Sequence, residues 1–70
     1  MKVLIVDDSA TRYESLIVSL RSSGLNREDI LIANSSSDAM SKLELYKFDV
    51  MILDLLLPKE EWESNVRSQN

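Results

Sequence analysis

Three aspartates hold the chemical interest of this 70-residue chain: the adjacent Asp7 and Asp8, and Asp54 far along the sequence. The pair closes the apolar run Val3-Leu4-Ile5-Val6, and Asp54 closes the run Val50-Met51-Ile52-Leu53. Two unit charges about 4 Å apart repel by roughly 4 kcal/mol at an effective dielectric of about 20. Carboxylates brought together therefore need either a raised pKa or a bound cation. An all-oxygen donor set suits a hard divalent ion, Mg²⁺ best, which takes one or two carboxylates and otherwise keeps its water. Taken singly, Asp8 fits the plainer use of an acid behind a strand, as a loop starter or a helix N-terminal charge. The joint placement of all three favours a site.

Other chemistries fall away on composition. With no cysteine and no histidine, a disulfide scaffold, a zinc module and a Ser-His hydrolase are excluded. A single glycine, Gly24, cannot build the glycine-rich dinucleotide or phosphate-binding loops. Asp-x-Asp phosphatase chemistry would need an acid two residues after Asp54, where Leu56 stands. Eight Lys and Arg against twelve Asp and Glu give a net charge of −4, with no cationic cluster to meet nucleic acid. No apolar run approaches the ~20 residues that span a bilayer. The apolar stretch before Asp7 is too short for a signal-peptide core, so a cytoplasmic location is expected. An apolar content of 44% with 29% charged residues is that of a soluble globular protein.

The elements that must position the acids can be read from periodicity. Val3–Val6, Ile30–Ala33 and Val50–Leu53 are continuous aliphatic runs of strand length, as in parallel strands covered on both faces. Between the first two, Tyr13, Leu16, Ile17 and Leu20 recur at i, i+3, i+4 and i+7, one apolar stripe of a helix. Thr11 and Glu14 form a candidate capping box at its start, and Gly24 a C-terminal stop. Ser35-Ser36-Ser37 offers N-caps to a second helix, whose apolar face is Ala39, Leu43 and Tyr46 with Met40 beside them. The result is a β-α-β-α-β pattern, an α/β parallel sheet with right-handed crossovers. Chemistry in such sheets gathers at the carboxyl ends of the strands, and the three acids converge there if strands one and three are neighbours. Residues 59–70 read as a charged loop or frayed turn with Trp62 covering a hydrophobic edge.

With these residues in view, the chain resembles the receiver domain of bacterial two-component response regulators. The resemblance lies in Lys2–Asp8 (KVLIVDD) followed by a helix, and in Phe48–Pro58 (FDVMILDLLLP). It covers residues 2–58 and implies a flavodoxin-like, doubly wound parallel sheet, truncated here to β-α-β-α-β with strand order 2-1-3. By this resemblance Asp54 is the phosphoacceptor, and Asp7 and Asp8 hold Mg²⁺. Asp54 and the backbone carbonyl of Leu56 complete the metal ligands, and Pro58 shapes the loop that follows. A histidine kinase or phosphotransfer protein is the implied donor, and the module accepts a phosphoryl group without being a turnover enzyme.

Departures from the family pattern set a second expectation. The Ser or Thr ending strand four and the Lys ending strand five have no counterpart in these 70 residues. Lys59-Glu60-Glu61-Trp62 stands where the family has a glycine after the proline. Residues 1–58 then read as the N-terminal half of a receiver-like domain with an incomplete switch. The alternatives are a degenerate receiver-like interaction or oligomerisation module without phosphoryl transfer, and a carboxylate metal site with no phosphoryl chemistry. The open edge of the third strand, next to Leu55, Leu56 and Leu57, predicts self-association.

Overall fold

The computed structural model describes residues 1–54. The expectations for Leu55–Leu57, the Leu56 carbonyl, Pro58, Trp62 and the 59–70 segment lie outside the described residues. The three aliphatic runs are the three strands, with the bounds read from the sequence: β1 (Val3–Val6), β2 (Ile30–Ala33) and β3 (Val50–Leu53). All pairing is parallel, in the flavodoxin-like order β2-β1-β3. Val3 lies opposite both Ile30 and Val50, and Val6 opposite both Ala33 and Leu53. The central strand β1 is buried along its whole length, which is why its sequence is continuously apolar instead of alternating.

Alternation along each strand divides the core into two layers. Val3, Ile5 and Ile30 face α1 (Ala10–Ser22), whose stripe of Tyr13, Leu16, Ile17 and Leu20 packs on them together with Ile32 and Ile52. Leu4, Val6 and Ala33 face the other way, against Ala39 of α2 (Ser36–Leu45), with Leu31 and Phe48 at the margin. Each fully buried aliphatic side chain contributes about 1.5–3 kcal/mol relative to an exposed one. The two helices thus cover opposite faces of the sheet, as doubly wound crossovers require.

Helix ends differ in part from the expectation. The cap of α1 is Ser9 in extended conformation, so Thr11 lies inside the helix and the Thr11–Glu14 capping box does not form. Ser9 makes no side-chain cap bond, and its N–H is instead taken by the Asp7 carboxylate at 2.8 Å. At the other end, Gly24 adopts φ +105°. The Leu25 N–H then reaches Leu20 O at 3.2 Å and the Gly24 N–H reaches Arg21 O at 3.0 Å, a Schellman closure. Leu20 and Leu25 pack into one cluster beneath it. A single 3-10 turn, Arg27–Asp29, then leads into β2.

Ser35 caps α2 as expected, its hydroxyl accepting the Asp38 N–H at 3.1 Å. The apolar face of α2 is narrower than the spacing predicts: Ala39 is buried and Met40 half-buried, but Leu43 and Tyr46 are exposed. Among the described elements, α2 packs chiefly over β2 and β1. Tyr46 follows the helix and stacks elsewhere, with the Lys2 ammonium 4.7 Å from its ring centroid and Phe48 edge-on at 6.1 Å. On β3, Val50, Met51 and Leu53 are each 38–39% exposed, whereas no residue of β1 is exposed at all.

Candidate functional site

Backbone bonds extend each sheet ladder by one residue and so fix where two acids start. The Asp7 N–H donates to Ala33 O at 2.9 Å, and the Asp54 N–H donates to Val6 O at 2.9 Å. Both acids therefore leave the carboxyl ends of neighbouring strands, which stand about 4.8 Å apart. Asp8, one residue further on, joins them. One carboxylate oxygen from each of Asp7, Asp8 and Asp54 lies within 4.8 Å of the others. Asp7 is buried and Asp54 half-buried, their side chains 7% and 8% exposed, while the Asp8 side chain is 61% exposed at the mouth.

A cation from α1 joins the three carboxylates. Arg12 donates through Nε to Asp7 Oδ2 and through Nη2 to Asp7 Oδ1, each at 3.2 Å, a two-pronged grip. The same Nη2 lies 3.0 Å from Asp54 Oδ2 and 3.5 Å from Asp8 Oδ1. Arg12 was not anticipated from the sequence, where a charge on a helix reads as a solvated face. Its signal was the Asp8–Arg12 spacing of i, i+4, which pairs an acid with a base one helical turn on.

Charge follows from this packing. The Arg12 guanidinium holds the Asp7 carboxyl below the usual carboxylate range; burial pushes the other way, and the Ser9 N–H adds to the lowering. Reciprocally, the hydrogen bonds to Asp7 raise the Arg12 pKa against a smaller desolvation effect, and the charges of Asp54, Asp7 and Asp8 reinforce it. Among the described residues every buried side-chain polar atom has a partner.

The serines near the strand ends hold helix starts: Ser9 is the cap of α1, Ser35 the cap of α2, and Ser36 the buried first residue of α2. Behind β2 stands Asn34, whose N–H donates to Asp38 Oδ2 at 3.4 Å. The acidic end of the sheet is thus built from β1, β3 and the first turn of α1. An open groove continues from Asp7 and Arg12 along α1 past Thr11, Ser15 and Ser19. A donor set of three carboxylates has the chemistry to hold a hard divalent cation. Among the described residues no helix is long and apolar enough to cross a membrane.

Two known proteins are similar to the chain. It is 36% identical over 58 residues to the alkaline phosphatase synthesis transcriptional regulatory protein PhoP of Bacillus subtilis (strain 168), a match covering 83% of this chain and 23% of that protein. It is 33% identical over 64 residues to the uncharacterized protein y4jS of Sinorhizobium fredii (strain NBRC 101917 / NGR234), covering 91% of this chain and 16% of that protein. The chain therefore spans less than a quarter of the length of either relative. No family model matches, and no solved structure does. The similarity to PhoP supports a receiver-like domain.

Proposed function

We propose that the chain carries a phosphoacceptor module of two-component signalling, with Asp54 as the residue that takes the phosphoryl group. The observation that carries this reading is the meeting of Asp7, Asp8 and Asp54 oxygens within 4.8 Å at the carboxyl ends of adjacent strands. A carboxylate oxygen of Asp54 attacks the phosphorus of the donor and forms a P–O bond. The bond from phosphorus to the donor's leaving atom breaks, and the electron pair departs with the donor. That leaving atom is an imidazole nitrogen of a histidine kinase or phosphotransfer protein, or the carboxylate oxygen of a small acyl phosphate.

Asp7, Asp8 and Asp54 would hold Mg²⁺. Bound there, the ion neutralises charge on the transferring phosphoryl oxygens. The chain's own residues supply orientation. The bond from the Asp54 N–H to Val6 O fixes the root of the nucleophile, and the Ser9 N–H fixes one oxygen of Asp7. A second copy of the chain is the further partner in this reading, pairing along β3, where Val50, Met51 and Leu53 are exposed.

Incubating the chain with a small acyl phosphate and Mg²⁺ tests the central step. Intact mass should rise by one phosphoryl group, and Asp54→Asn should abolish the gain. No gain by the parent chain would point to an interaction module instead, and an undiminished gain by the variant would put the phosphoryl group on a residue other than Asp54.

A further inference from the structure

We infer that Arg12 is the resting counter-cation of the acidic site and must leave it before a divalent cation can enter. The inference rests on the proposed cation site and concerns how that site is regulated. A single nitrogen, Arg12 Nη2, lies within 3.5 Å of an oxygen of each of Asp7, Asp8 and Asp54. It therefore occupies the point on which the three carboxylates converge. A metal ion bound to the same oxygens would sit against the guanidinium, and two cations in that space repel instead of sharing ligands.

The position of Arg12 on its helix strengthens the case. It lies in the first turn of α1, where the positive end of the helix dipole disfavours a cation, and that turn contains no acid. Arg12 is kept there by the carboxylates of the site, so anything that neutralises those carboxylates removes the reason for it to stay. It also has a way out. Its side chain is 47% exposed and borders the groove along α1 past Thr11 and Ser15, so withdrawal moves the charged head into water. With Arg12 in place, Asp7 and Asp54 share one guanidinium charge without metal. With Arg12 out, the three carboxylates lose that positive charge and attract a cation more strongly. Apparent metal affinity is then reduced by the fraction of molecules in which Arg12 is engaged.

Calorimetric titration with Mg²⁺ of the parent chain, Arg12→Gln and Arg12→Lys tests this. The Gln variant should bind about tenfold more tightly, the gain expected if roughly nine molecules in ten hold Arg12 engaged. The Lys variant keeps the charge but lacks the planar fork that spans several carboxylates, and should fall near the Gln variant. Equal affinity of parent and Gln variant overturns the competition and leaves the cation site standing. A Lys variant as weak as the parent beside a tight Gln variant also overturns it, because the effect would then be the field of any positive charge. No uptake by any of the three overturns the cation site and the competition together. In the unaltered chain, the Arg12 Nε–H signal in nitrogen-resolved NMR should be protected without Mg²⁺ and exchange rapidly at saturation. Protection that persists at saturation overturns the inference even if a variant fails to fold.

Discussion

Arg12 and Asp54 stand 42 positions apart in the sequence, and their side chains meet at 3.0 Å. The contact runs from the first turn of α1 over the end of β1 to the end of β3. It ties a helix on one face of the sheet to β3. Asp7 is the middle member of that link, gripped twice by the same guanidinium.

Asp7 and Asp8 should therefore behave differently despite being neighbours. Asp7→Asn removes a buried charge that accepts bonds from both Arg12 and the Ser9 N–H. Its melting midpoint without metal should fall. Asp8→Asn relieves repulsion at an exposed position and should leave the midpoint at or above the parent value. Thermal melts followed by circular dichroism check this, and a larger loss for Asp8→Asn would contradict the anchoring role of Asp7.

Stability should depend on pH in one direction on the acid side. The Lys42 ammonium, 2.7 Å from Asp38 Oδ1, holds the Asp38 carboxyl below its ordinary value, with the Asn34 N–H helping against burial. Asp7 is lowered as well. A carboxyl whose folded pKa is lowered contributes stability that is fully present above its unfolded value of about 4 and is lost as pH falls through the folded value. Denaturant midpoints should be flat from neutral pH to about 5 and drop below about 4. Asp38→Asn should make that drop shallower, and an unchanged slope would show that the Lys42 pair does not contribute.

Gly24 should resist substitution for backbone reasons alone. Its φ is +105°, and a Cβ built there meets nothing within 4 Å. Gly24→Ala should cost about 1–2 kcal/mol, the strain of placing an L-residue in that region. Gly24→Asn should cost less, because asparagine tolerates left-handed conformations better. Chemical denaturation of the three chains separates them.

At the centre of the sheet the margin is narrow. Ile5 is fully buried. Ile5→Val should cost about 1 kcal/mol, and Ile5→Ala about 2–5 kcal/mol. A core in a chain of this size supplies only about 3–5 kcal/mol. The Ala variant should then lose its cooperative transition while the Val variant keeps it, as calorimetry would show.

The exposed face of β3 leads to a prediction about association. Light scattering should give a mass above that of one chain, rising with concentration. Met51→Lys should shift it towards the monomer, since a charge on an edge strand opposes pairing. A concentration-independent monomer for the parent chain would remove self-association from the account.

How much of this was legible in the sequence depended on the range of the interactions involved. Strands were readable to the residue, because two-sided burial leaves continuous aliphatic runs such as Val3–Val6. The stripe of α1 and the Gly24 stop were readable because both are local patterns. Leu43 and Tyr46 misled because spacing shows which residues share a helix face but not how far a partner strand extends beneath them. The capping box misled because α1 starts two residues earlier than that box requires, with Ser9 as its cap and Thr11 already inside it. The meeting of Asp7 and Asp54 needed the strand order, which came from family resemblance. Arg12 was missed because its role appears only once β1 and β3 lie side by side.

The partition of burial between β1 and β3 has a kinetic corollary. Asp7 is rooted in the strand clamped on both flanks, and Asp54 in the one that, among the described residues, is paired on a single side. In the proposed reading, fraying of β3 would carry off the phosphoacceptor Asp54 while β1 and its acid persisted. The proposed phosphoryl uptake would then track how firmly that flank is zipped, and any brace laid along it would act as a throttle.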